Sequence, residues 1–218
     1  MLTLVEELFL LSIIDGKDEV NFNHNEHLPY ALAGAVLLEL VLAGHLKLEK
    51  KRVVVVDPTA TGQEMLDRLL ERIERAEKVY KLNHWISEFA FSNKKWRSWM
   101  ADLLVRRGIL ASCEKTFLWV IPCTAYIERD ASAKYHIKNH LRAVVLTGEK
   151  ADERAIGLLS LARAGDMLDH IFTKDEMATA KKHLRLMLAT EEVGAVVMET
   201  IEEIESATAA VILTTTAG

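Results

Sequence analysis

The sequence predicts a mainly α fold in which a buried core helix is surrounded by amphipathic helices and accompanied by two or more β-hairpins. Three observations predict it. The run "YALAGAVLLELVLAG", residues 30–44, is apolar on nearly every helical face, and a helix with no polar side has to be covered all round. A helix–glycine–hairpin unit, "LLELVLAGHLKLEKKRVVVVDPT", recurs as "LLVRRGILASCEKTFLWVIPCT", which gives winged-helix-like repeats. The second half is a succession of helical patterns, and in the last of them Val193, Val197, Ile201, Ile204 and Val211 fall at helical spacing.

The elements follow in chain order. Residues 2–14 cluster apolar side chains as a helix does and stop at Asp15-Gly16, a turn dipeptide. Residues 19–25 suit a short strand or loop. Pro29 is placed where a first helical turn accepts it, and the core helix then runs to Gly44. "HLKLE" and "RVVVVD" alternate or are β-branched, with "KK" as the turn between them. Residues 61–82 read as a charged helix with Leu66, Leu69, Leu70 and Ile73 on its apolar side, followed by a short helix over 83–91 carrying Trp85. A helix over 94–107 closes at Gly108, and "ILASCE" and "TFLWVIP" form a second hairpin with Lys115 near its turn. Helices are expected over 131–146, 152–172, 174–189 and 191–213, with "LTGEKADE" as a polar connection after the first of these.

The 218 residues are 50% hydrophobic and 27% charged, the balance of an ordinary globular protein. No low-complexity linker divides them, so one compact unit over 1–218 is expected. A net charge of -5 supplies no general attraction to nucleic acid or anionic lipid, and any such contact must come from a local patch. Cys113 and Cys123, among apolar neighbours, make neither a disulfide framework nor a four-ligand zinc site and read as reduced core residues of a cytosolic protein. The apolar N-terminus contains Glu6 and Glu7 and lacks a basic leader, so it reads as a helix and not as a signal peptide. No apolar run reaches the length of a membrane span.

Phosphate-binding glycine loops, a G-x-S-x-G elbow and H-E-x-x-H are all missing, and neither an enzyme activity nor a cofactor is expected. His24 with His27, and His136 with His140, have spacings that two metal ligands use, but a site needs a third ligand and supporting partners, so exposed histidines are the plainer reading. A DNA reader requires basic and polar side chains on the helix before each hairpin. The first such helix holds Glu39 and no cation; the second offers Lys94, Lys95, Arg106 and Arg107 as the nucleic-acid alternative. The overall acidity disfavours it.

The chain resembles the Golgi phosphoprotein three family, which has a yeast vacuolar-sorting counterpart and bacterial members. The motifs that carry the resemblance are "LTLVEELFLLSIID", "LLELVLAGHLKLE", "NHWI", "LLVRRGIL" with "TFLWVIP", and "LLSLARAGDMLDHIF", in the family's order. It implies a mainly helical, non-enzymatic adaptor, peripheral on the cytosolic face of a membrane, which binds phosphatidylinositol 4-phosphate and a protein partner; homo-oligomerisation stays open. By the same resemblance, this chain has His24 where relatives place a pocket tryptophan and Ala33 where they place an arginine. Two further basic positions fall at His140 and Ala143. His24, Lys138, His140 and Arg142 are therefore the candidate phosphate-binding residues, since imidazolium, ammonium and guanidinium all donate charge-assisted hydrogen bonds. Relatives dip an apolar hairpin into the bilayer where this chain has "LTGEKADE", a departure that looks like a prokaryotic member.

Overall fold

A computed structural model describes residues 2–13, 27–92, 96–117, 121–188 and 195–215. Helix α1, Leu4–Leu11, starts at a capping box: the Glu6 amide donates to the Thr3 hydroxyl at 3.4 Å while the Thr3 amide donates to the Glu6 carboxylate at 2.8 Å. Helix α2, Leu28–Leu42, is the core helix, with Pro29 in its first turn. It packs against α1 and against α3 (Glu64–Glu74), α4 (Leu82–Ser92), α7 (Glu153–Ala164) and α9 (Ala195–Thr215). Leu32, Val36, Leu37, Leu38 and Leu40 of α2 are all essentially without exposed surface. Neighbours on every side are what an unpatterned apolar helix requires.

Each predicted hairpin follows a helix that closes at a glycine. Gly44 and Gly108 have φ of +81° and +75°, a conformation that costs glycine nothing. After α2, β1 (Leu46–Glu49) pairs antiparallel with β2 (Arg52–Val55), Leu46 opposite Val55 and Glu49 opposite Arg52. The two turn residues, Lys50 and Lys51, both have positive φ, 52° and 65°, which a tight two-residue hairpin demands and lysine resists. The turn is held from outside: the Lys51 amide donates to Glu199 at 3.1 Å and its ammonium meets Glu203, both on α9.

After α5 (Trp96–Arg106), β3 (Leu110–Phe117) pairs with β4 (Ile121–Glu128). The turn differs from the expectation. Lys115 stands in the ladder opposite Cys123, and Phe117 opposite Ile121, so Lys115 lies within β3; residues 118–120 lie outside the described residues. Cys113 is a free, half-buried thiol in this ladder and not a core residue.

Two of the expected helices end early, while the one over 131–146 keeps its extent and changes only its winding. The helix expected over 61–82 ends at Glu74, because the following chain pairs with β2: Val53 donates to Tyr80 and Leu82 donates to Lys51, each at 3.0 Å. Helix α6 (Ser132–Arg142) passes into one π turn, Ala143–Thr147, and stops at Gly148 with φ +74°. The helix expected over 152–172 breaks after Ala164. A β-carbon on Gly165 would stand 3.2 Å from that of Ala31 on α2, and Asp166 takes φ +52° to turn the chain into a short 3₁₀ segment, Leu168–His170. Helix α8, Met177–Leu188, follows. The strand or loop expected over 19–25 lies outside the described residues.

Candidate functional site

Helix α6 carries three of the four candidate phosphate ligands, and its period separates them. Lys138 and Arg142 are four residues apart on one side, while His140 is displaced to the side shared with Ile137 and Leu141. His140 is exposed and stands at a cleft of about 170 Å³ formed by α1, α6 and the start of α7. Its polar lining is Glu7, His140, Asp152 and Arg154, and Ile137, Leu141 and Leu158 supply an apolar wall. Asp152 caps α7, accepting from the Ala155 amide at 2.7 Å.

Arg154 organises the inner end of this cleft. Its Nη1 donates to both Glu39 oxygens at 2.9 and 3.1 Å; its Nη2 donates to the Leu2 carbonyl at 2.7 Å and to Glu7 at 3.2 Å. Its Nε is buried without a hydrogen-bond partner. Burial pushes the Glu7 carboxyl up to about 7; Arg154 opposes the rise, and the Glu39 and Glu6 charges add to it. Glu7, Glu39 and Arg154 are not among the candidate residues that motif and spacing point to. The signal was there in the lone carboxylate of an otherwise apolar α2, since a buried charge needs a partner.

Arg142 is already engaged. Its guanidinium meets both Glu176 oxygens, at 2.7 and 2.6 Å, and the Ile171 carbonyl at 3.0 Å, so it ties α6 to the start of α8. Lys138 is half-buried. Ala143 opens the π turn, and Ala33 is wholly buried in α2. His24 lies outside the described residues, as do Lys94 and Lys95. Of the nucleic-acid alternative, Arg106 is exposed beside Trp99, whereas Arg107 is taken up by Glu6 at 2.5 and 3.0 Å. Among the described residues no three His, Cys, Asp or Glu side chains group as metal ligands would, and no helix is long and apolar enough to cross a membrane.

Residues 4–204 match the family model described as Golgi phosphoprotein 3 (GPP34). The chain belongs to this family. Within it, the chain is similar to vacuolar protein sorting-associated protein 74 of Schizosaccharomyces pombe, 29% identical over 165 residues that cover 66% of this chain and 48% of that protein. The chain thus spans about half the length of the curated relative it matches. As a Golgi phosphoprotein 3 family member it places the recurring helix–glycine–hairpin unit in scaffold: α2 is core, and the arginine that follows α5, Arg107, is spent on α1.

Proposed function

We propose that this protein is a non-enzymatic, peripheral adaptor at the cytosolic face of a membrane that recognises an anionic, phosphate-bearing lipid headgroup, with phosphatidylinositol 4-phosphate the first lipid to test. Family membership supports the adaptor role. The observation that carries the site is His140, exposed at the rim of a cleft with one apolar and one polar wall. Lys138 on the same helix and His24 complete the proposed set of phosphate donors. Arg142 serves by positioning α6, because its own charge is matched by Glu176. A headgroup phosphate at the rim would accept charge-assisted hydrogen bonds from imidazolium and ammonium, with the apolar wall beside it for the glycerol end.

Sedimentation with vesicles containing phosphatidylinositol 4-phosphate, other phosphoinositides or phosphatidylserine tests the reading. At low ionic strength, where surface attraction is strongest, the protein should pellet with anionic vesicles, and H140A combined with K138A should weaken it. Failure to bind any anionic vesicle at low salt overturns the proposal.

A further inference from the structure

Arg154 is one cation serving two carboxylates from different helices. Glu39 is the better supplied: it receives both Nη1 contacts and the Leu4 amide. Glu7 receives a single bond, from Nη2, and at 3.2 Å it is the longest of the set. The three side chains are only 16, 17 and 21% exposed for Glu7, Glu39 and Arg154, and with both acids ionised they sum to one negative charge. Two like charges sharing one counter-charge away from water favour taking up a proton on the less supported group. Glu7, whose carboxyl burial raises to about 7, is that group.

We propose that the cleft between α1, α6 and α7 binds a phosphate monoester together with one proton, which Glu7 accepts. This rests on the reading of the cleft as the headgroup site. Proton uptake makes the Glu7–Arg154–Glu39 set neutral and turns the Glu7 carboxyl into an O–H donor. It also loosens the long Nη2 contact, so a guanidinium N–H can turn to an anion. The other charged groups facing Glu7 do not replace it. On α1, Glu6 is bound by Arg107; on α2, Glu39 holds its two Nη1 bonds; on α7, Asp152 is directed at the helix start. On α6, His140 stands at the rim as a cation donor when protonated. With both acids ionised the inner cleft repels an anion, and with Glu7 neutral it does not. By linkage, the anion in turn raises the affinity of Glu7 for its proton.

The test is calorimetric titration of the full chain with glycerol 3-phosphate, and separately with phosphatidylinositol 4-phosphate vesicles. Titrations run at about pH 6 and about pH 8, in two buffers of different ionisation enthalpy. Wild type should bind roughly tenfold tighter at the lower pH, as a group titrating near 7 requires, and the buffer dependence of the heat should show proton uptake on binding. E7Q, which mimics the neutral acid, should bind tighter than wild type at about pH 8 and so narrow the difference between the two pH values. H140N, run beside it because an imidazolium at the rim is itself pH-dependent, should lower affinity and narrow the difference between the two pH values without abolishing it. The proposal is overturned if wild type binds equally at both pH values without taking up a proton, or if E7Q keeps the wild-type profile. Binding to vesicles without pH dependence removes this inference alone; binding of neither probe at either pH removes the headgroup reading with it. Binding of glycerol 3-phosphate as tight as that of vesicles assigns the site to the phosphate group alone, and preference for vesicles assigns it to the lipid.

Discussion

Arg142 and Glu176 form a two-point ion pair, Nη1 to Oε2 at 2.7 Å and Nη2 to Oε1 at 2.6 Å, across 34 residues of sequence. The same carboxylate accepts the Thr173 amide at 2.9 Å, just before α8. The Arg142 hydrogen bonds, with those from Thr173, hold the Glu176 carboxyl down at about 2. A lowered carboxyl stabilises the fold above its unfolded value near 4.5, and that contribution fades as pH falls from there toward 2. E176Q should therefore flatten the acid limb: urea midpoints measured between about pH 5 and pH 2 should fall less steeply in the variant than in wild type.

Glu7 carries the opposite sign. Its carboxyl is raised from 4.5 to about 7, so the folded state holds a proton that the unfolded chain has released, and stability declines as pH rises through that window. E7Q removes the decline. Relative to wild type it should gain stability on going from about pH 5 to about pH 8, by roughly 1–3 kcal/mol once partial solvent screening is allowed for. Chemical denaturation at the two pH values measures it, and a variant whose offset from wild type is the same at both would contradict the assignment.

Glu6 has no exposed side chain and is matched by Arg107, which is 29% exposed. Removing the cation leaves a carboxylate buried with only its capping-box donors. R107A should cost about 3–5 kcal/mol. R106A, at the exposed neighbour, should change stability by less than about 0.5 kcal/mol. Thermal melts of the two variants side by side check the contrast.

Two helical glycines should respond differently to alanine. A β-carbon on Gly34 would lie 2.6 Å from Cγ2 and 3.3 Å from Cδ1 of Ile204, and 3.2 Å from Leu161, where α2 meets α9 and α7. On Gly157 it would meet chiefly Leu38 Cδ2, at 2.6 Å, the far end of a flexible side chain. Alanine brings about 1 kcal/mol of helix propensity at either site. G34A should nonetheless lose about 1–2 kcal/mol through overpacking against the stiff, β-branched Ile204. G157A should fall within about 1 kcal/mol of wild type as Leu38 changes rotamer. Equal losses would show that side-chain stiffness does not govern the outcome.

The sequence alone determined the architecture and the family. An α2 apolar on nearly every face had to be a core helix, alternating segments after Gly44 and Gly108 had to be hairpins, and the ordered motifs carried the resemblance that the family match established. These are local signals, because helical and strand periods act within a few residues. What the tertiary structure decided is which charges are spent. Arg107, Arg142 and Arg163 look alike in sequence, yet they are taken up by Glu6, Glu176 and Glu205, from 34 to 101 residues away. Arg154 finds Glu39 across 115 residues and Glu7 across 147, and so creates the shared-cation site that no spacing announces. The reason is physical: periodicity tells which face of an element is buried, but a buried charge is satisfied by whatever other elements bring against that face, and only the packed chain specifies them.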